Sequence, residues 1–191
     1  MVLGPAAGRL LIATGGLADP NFSRTVVLLL DHDSTGTLGV VLNRPTTLDV
    51  AEALPSWAGL VGPPPPVLFQ GGPVGLDSAL ALATLAAVPV DPAATPVGWR
   101  GVVGTIGMID LDAGAEDLGP ALRELRVYAG YSGWGPGQLD EELAGGAWII
   151  VESEPGDAFC ADPDKLWSRV WRRQPGERAF VSTRPDDPTH N

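Results

Sequence analysis

The sequence predicts an α+β fold, and three observations carry that prediction. Apolar, β-branched runs come in neighbouring pairs around polar, glycine-bearing loops, as at Thr25–Leu30 and Leu38–Asn43. Stretches with helical spacing are scattered between such runs, with no regular strand–helix–strand period. With 45% hydrophobic residues over 191 positions, the chain can build a full core without metal or disulfide staples. The expected organisation is one domain over residues 1–185, with room for a small lobe, followed by a flexible tail at 186–191.

The elements follow in order. Arg9–Ala13, "RLLIA", reads as a first strand. Thr25–Leu30 and Leu38–Asn43 form a hairpin or close strand pair around Asp31–Thr37, a loop longer than the tightest type. Both runs are apolar on successive residues, so each face should be covered. Thr46 and Asp49 have capping-box spacing and open a short helix that Pro55 limits. Pro63–Pro66 make a stiff extended connector into a strand at Val67–Gln70, which Gly71, Gly72 and Pro73 terminate.

Leu76, Ala79, Leu80, Ala83 and Ala87 fall at helical spacing, with Leu82 and Leu85 on the other side, which predicts a largely buried helix. Gly101–Leu111 resembles a strand, with Gly104 and Gly107 marking a bulge or a close backbone approach. A short helix at Ala121–Leu125 and a strand at Leu125–Gly130 precede "GYSGWGPGQL", Gly130–Leu139, read as a glycine-rich turn that leads into a helix. Trp134 should pack over that turn, and its ring N–H would need a partner. Ala147–Glu152 is a further strand. Asp162 and Pro163 then start a helix whose inner stripe is Leu166, Trp167, Val170 and Trp171. Arg169, Arg172 and Arg173 sit toward its end, the most basic local patch, read as a solvated face matched to the helix dipole. Ala179–Thr183 is a candidate last strand.

Charge and cysteine usage bound the function. A net charge of −11 argues against a broad nucleic-acid-binding face, which needs basic side chains to displace counterions. Cys160 is the single cysteine, so no internal disulfide forms and a reducing compartment is expected. The first residues lack the basic and apolar regions of a signal peptide, and no segment reaches the roughly 18 apolar residues of a membrane helix. The expected location is the cytoplasm, with no membrane contact.

Enzyme signatures fail one by one. A serine-hydrolase elbow needs glycine two positions either side of the serine, and Ser132 has Gly130 but then Trp134. The only histidines are His32 and His190, so a triad would have to combine Ser132 and His32 with Asp31 or Asp33. Gly71–Ser78 lacks the lysine of a phosphate loop, although the backbone of Gly71 and Gly72 offers donors to an anion. Asp31, His32 and Asp33 alternate in direction along a strand, and Cys160 has no second soft ligand, so neither metal nor cofactor is expected.

Four segments, Gly8–Pro45, Leu68–Ser78, Gly130–Ile149 and Asp162–Arg173, resemble the YqgE/AlgH family of small bacterial proteins, in family order. The positions that carry the resemblance are Asp19, Pro20 and Phe22; His32 and Gly36; Gly39, Asn43, Arg44 and Pro45; Gly71, Gly72 and Pro73; and Gly130–Leu139 with Trp148. Thr14-Gly15-Gly16 stands where members commonly carry a proline, and Cys160 is outside the pattern. The resemblance implies intertwined β-sheets with barrel character and several packed helices. It supplies no activity; the label "transcriptional regulator" attached to the family finds no helix-turn-helix in these residues.

The resulting expectation is a non-enzymatic cytoplasmic protein that binds an unknown small molecule or protein partner. The candidate binding residues are His32, Asn43, Gly71, Gly72, Tyr131, Ser132, Trp134 and Gln138. No residue is assigned a catalytic role. The alternatives are a hydrolase or transferase with an unrecognised site, and a transcriptional regulator acting directly or through a complex. Oligomeric state is not specified by the sequence.

Overall fold

A computed structural model describes residues 3–176. The strand expected at 179–183 and the tail at 186–191 lie outside the described residues. Strands β1 (Arg9–Ala13), β2 (Val26–Asp33) and β3 (Gly36–Val41) are apolar on successive residues, and the structure covers both of their faces as that pattern requires. Leu10, Ile12, Leu28 and Val40 face α4 (Leu166–Arg172), whose Leu166, Trp167, Val170 and Trp171 form the expected inner stripe. Leu11, Ala13, Val27 and Val41 face the other way, against Trp134, Leu139 and Trp148. The Trp167 indole N–H donates to the Ala13 carbonyl at 2.9 Å and fixes α4 on the sheet.

The sheet has ten strands among the described residues. Its remaining members are β4 (Pro45–Asp49), β5 (Val67–Gln70), β6 (Val74–Leu85), β7 (Trp99–Val103), β8 (Ile106–Ile109), β9 (Leu122–Trp134) and β10 (Trp148–Glu152). The order is β10-β1-β2-β3-β9-β6-β8-β7, with β5 also paired to β9 and β4 to β5. Every pairing is antiparallel except β5 with β9.

Intertwined sheets with barrel character are therefore corrected to one open sheet. Closure requires the first and last strands to share a ladder. Here β10 pairs only with β1, and β7 only with β8, among the described residues. Two arms meet instead in β9. Along one side β9 pairs with β6; along the other it pairs with β5 at Tyr128 and Ala129, then with β3 from Ser132 to Trp134.

Several local expectations change. The buried helix at 76–87 is strand β6, paired with β9 from Val74 to Leu85. Ala79, Ala81 and Ala83 alternate with Leu80 and Leu82, a period of two that fits a sheet with both faces packed. Ala81 and Ala83 meet a second core with Trp57, Ile109, Leu125 and Val127, while Leu82 joins the first. The supposed helix at 121–125 starts β9, preceded by the single turn α2 (Ala115–Leu118). Asp33 pairs with Gly36, so the β2–β3 turn is the two residues Ser34-Thr35 and tighter than expected. Gly104 lies in the β7–β8 turn, and a side chain at Gly107 would strike the Arg100 carbonyl, the close approach its position suggested.

The helices are short. In α1 (Val50–Ala53) the cap is Asp49, whose carboxylate accepts from the Ala51 amide, while Thr46 donates instead to the Leu68 carbonyl. Asp162 makes no cap, because its carboxylate takes the Lys165 ammonium at 2.6 Å. The arginines at the end of α4 are not simply solvated. Arg169 and Arg173 grip the buried Asp157 carboxylate at 3.1 and 2.7 Å, although Arg169, like Arg172, stays exposed.

Candidate functional site

The glycines of the two quoted motifs meet at one backbone junction. The Gly71 amide donates to the Ala129 carbonyl at 2.9 Å. The Gly71 carbonyl accepts from the Val41 amide at 2.8 Å and from the Ser132 hydroxyl at 3.0 Å. β3, the end of β5 and β9 are thus tied at the point where β9 changes partners. A Cβ at Gly71 would collide with the Gly130 carbonyl, and one at Gly72 with the Tyr131 carbonyl. Gly71, Gly72 and Ser132 are buried, and the Ser132 hydroxyl is committed to this junction. Among the described residues no hydrogen bond joins Ser132 to His32.

Beyond Gly130, β9 runs through Trp134, so the first half of Gly130–Leu139 is strand and not turn. The turn is confined to Gly135–Gly137, and α3 (Gln138–Ala144) follows as expected. The partner that the Trp134 ring required is Glu142: its Oε2 accepts from the indoles of Trp134 and Trp148, at 3.0 and 2.8 Å. Its Oε1 accepts from the Gln138 amide at 3.0 Å, and the Gln138 carbonyl takes the Gly135 N–H at 3.0 Å. Phe22 stacks on Trp134 and meets Trp148 edge-on, with centroids 6.1 and 5.4 Å apart. Trp134 and Trp148 are buried and Gln138 is exposed.

Two openings flank this segment. The first is an apolar groove of about 530 Å³ across β9, β6, β8 and β7. Tyr131, Leu80, Trp99, Met108 and Ile109 line it, with Ser78, Arg100 and Asp110 as its polar groups. Arg100 is held by an ion pair with Asp31. The second is a polar recess of about 320 Å³ between the β2–β3 turn and Gly135–Asp140, lined by His32, Asp33, Thr37 and Asp140. His32 Nδ1 lies 2.7 Å from the Thr37 hydroxyl. The Thr35 hydroxyl and amide bonded to Asp33 hold its carboxyl below the usual carboxylate range.

The eight candidate residues therefore do not share one surface. Tyr131 opens on the apolar groove and His32 on the polar recess. Gln138 braces the turn beside that recess. Gly71, Gly72, Ser132 and Trp134 lie beneath them as framework. Asn43, also buried, bonds the Val26 amide and the Arg24 carbonyl, each at 2.9 Å. Sequence reasoning missed the groove residues Leu80, Trp99 and Met108. The strict alanine–leucine alternation at 79–83 is the signal that places Leu80 on a strand, whereas Trp99 and Met108 reach the groove only through the β6–β8–β7 pairing.

Buried polar groups elsewhere are structural in geometry. Arg126 donates to the carbonyls of Pro63 and Cys160, both at 3.0 Å, and its guanidinium lies 4.4 Å from the Phe69 ring centre. Burial pushes the neighbouring Tyr128 phenol well above its ordinary range. Among the described residues, no group of three or more His, Cys, Asp or Glu side chains has a geometry that could hold a metal ion.

The sequence matches the AlgH-like family model DUF179 over residues 10–179. A UPF0301 protein of Streptomyces avermitilis is 60% identical over 185 residues, covering 96% of this chain and 94% of the relative. One from Mycobacterium tuberculosis is 44% identical over 185 residues, covering 97% and 90%. Among solved structures, protein DIP2367 of Corynebacterium diphtheriae superposes with a TM-score of 0.88 at 30% identity, covering 96% of this chain and 94% of that one. The AlgH protein of Pseudomonas aeruginosa superposes at 0.67 with 26% identity, covering 98% and 99%. These names state a family and no activity.

Proposed function

The chain belongs to the AlgH-like, UPF0301 family, and from that premise we propose that it is a non-enzymatic binding protein whose ligand enters the apolar groove beside Tyr131. The observation that carries this reading is the groove itself. Its volume of about 530 Å³ falls within the range of small-molecule sites, and it combines an apolar lining with a few polar groups. The glycine junction supports the same reading, because it holds the Gly130–Tyr131 segment on a rigid framework. Direct reading of DNA is not part of the proposal: the longest described helices have seven residues, and the charge is −11.

No helix among the described residues is long and apolar enough to cross a membrane. We place the protein in the cytoplasm on its single cysteine, which suits a reducing compartment. The test is affinity capture of host metabolites on the tagged chain, read by mass spectrometry beside a folded Tyr131→Ala variant. A small molecule enriched by the wild type and lost from the variant is the expected result. Equal recovery from both, or no enrichment at all, would remove the groove as the binding site.

A further inference from the structure

The two margins of the open sheet are built differently. Margin β7 carries Arg100, and its pairing with β8 is irregular between Gly101 and Val103, features that keep an edge from templating further strands. Margin β10 has neither. Its sequence, Trp148-Ile149-Ile150-Val151-Glu152, holds no lysine, arginine or proline, and its register against β1 is unbroken. Among the described residues no strand pairs with its other side.

The phase of the β1–β10 ladder says which groups lie open. The Thr14 amide donates to the Ala147 carbonyl at 3.0 Å. Bonding alternates along an antiparallel pair, so Ile149 and Val151 turn their N–H and C=O groups to β1. Trp148, Ile150 and Glu152 turn theirs to the open side. Ala13, opposite Trp148, fits this phase: its amide goes to the Thr25 carbonyl on the far side of β1, at 3.0 Å. Arg173 donates to the Glu152 carbonyl at 3.2 Å. The other open-side amides and carbonyls have no hydrogen-bond partner among the described residues. Beside them runs a groove of about 910 Å³, lined by Leu143 of α3, by Trp148, Ile149 and Ile150, and by Gln174 and Pro175 where the chain leaves α4. Ile149 and Ile150 are only half-buried.

The sequence beyond Gly176 supplies a matching segment. Glu177 and Arg178 lead to Ala179-Phe180-Val181-Ser182-Thr183, as long as β10 and carrying the phenylalanine, valine and threonine that strands favour. Pro185 then ends any pairing. From Gly176 to Ala179 the chain reaches about 10 Å when extended, against roughly 4.8 Å between paired strands. The Arg173 bond puts the chain at the Glu152 end of β10, so the segment would run antiparallel, toward Trp148. At that end lies α3, held there by the bond from the Trp148 indole to Glu142. Asp140 of α3 lines the groove, exposed and without an ion pair among the described residues, and Arg184 directly after the segment carries the opposite charge.

We propose that residues 179–183 occupy this groove as a further strand, antiparallel to β10 along its open side. Tethering gives the segment an effective concentration that a separate chain must exceed, so it also withholds the margin from a second copy of the protein. The inference stands apart from the Tyr131 groove, with which this one shares no lining residue.

Amide-resolved hydrogen exchange on the full chain tests it through the alternation along β10. In the wild type, Trp148 and Ile150 exchange slowly, as Ile149 and Val151 do. Phe180→Asp combined with Val181→Asp places charge in the segment and speeds exchange at Trp148 and Ile150 by roughly tenfold or more, the scale of one lost hydrogen bond. Ile149 and Val151, bonded to β1, keep their rates. Free exchange of Trp148 and Ile150 in the wild type would overturn the proposal, as would unaltered rates at those two in the variant. Equal acceleration of all four would do the same, because it reports a loss of stability across the fold. Protection that fades on dilution would also overturn it, since a second copy would then be the cover.

Discussion

Glu142 shows how one residue can make a glycine-rich motif rigid. Its carboxylate receives the ring N–H groups of two buried tryptophans and the amide of Gln138, so three parts of the Gly130–Trp148 region share one acceptor. Glu142→Ala would leave two buried donors without a partner, and each orphan costs about 1–3 kcal/mol. Denaturant unfolding should show a stability loss of about 2 kcal/mol or more, and a smaller one for Glu142→Gln, which keeps an acceptor oxygen. A loss below about 0.5 kcal/mol for the alanine variant would mean that water replaces the carboxylate. That Trp134 needs an acceptor is legible from its chemistry. That Trp148 needs the same one is not, because it depends on β10 and α3 being brought together.

The strands that could be read from sequence were those whose composition and periodicity agreed. β1, β2, β5 and β10 are β-branched or leucine-rich and bounded by breakers, and they stand close to where those signals put them. β6 was hidden because alanine and leucine favour helices, and spacing at 76, 80, 83 and 87 satisfied that bias. The two-residue alternation carried the other message, and pairing with β9 made it decisive. At the candidate site, Tyr131 and His32 were legible as members of dense motifs, whereas Trp99 and Met108 reach the groove only through the β6–β8–β7 pairing. The junction glycines separate close approach from simple turning. Gly130, at φ 68°, would place a Cβ 2.7 Å from the Val74 carbonyl and 2.9 Å from that of Gly72. Gly137, at φ 75°, has nothing within 4 Å. Gly137→Ala should therefore cost only the left-handed penalty of about 1–2 kcal/mol. Gly130→Ala adds a collision with two backbone oxygens and should cost at least about 3 kcal/mol. Equal thermal midpoints for the two variants would show that the junction relaxes without loss.

At the scale of the molecule, the open sheet has a centre and two margins. β9 is bonded to β3, β5 and β6, and β2 is covered on both faces, while β7 carries one neighbour among the described residues and has exposed side chains. Hydrogen exchange should follow that gradient: amides of β2 and β9 open last, and the outward amides of β7 exchange early. Uniform protection from β7 to β10 would indicate that something covers the β7 edge in solution. The other arm has a different character. β1 and β10 lie side by side, and the Arg9–Glu152 ion pair spans 143 positions of sequence. On the ribosome, the first strand therefore emerges long before its neighbour exists. Its apolar faces wait through the synthesis of β2 to β9 and find their last covering only when β10 and α4 have left the tunnel. A nascent chain stalled before Trp148 is thus an incomplete sheet with leucines and valines exposed, a substrate for chaperones, whatever stability the finished protein attains.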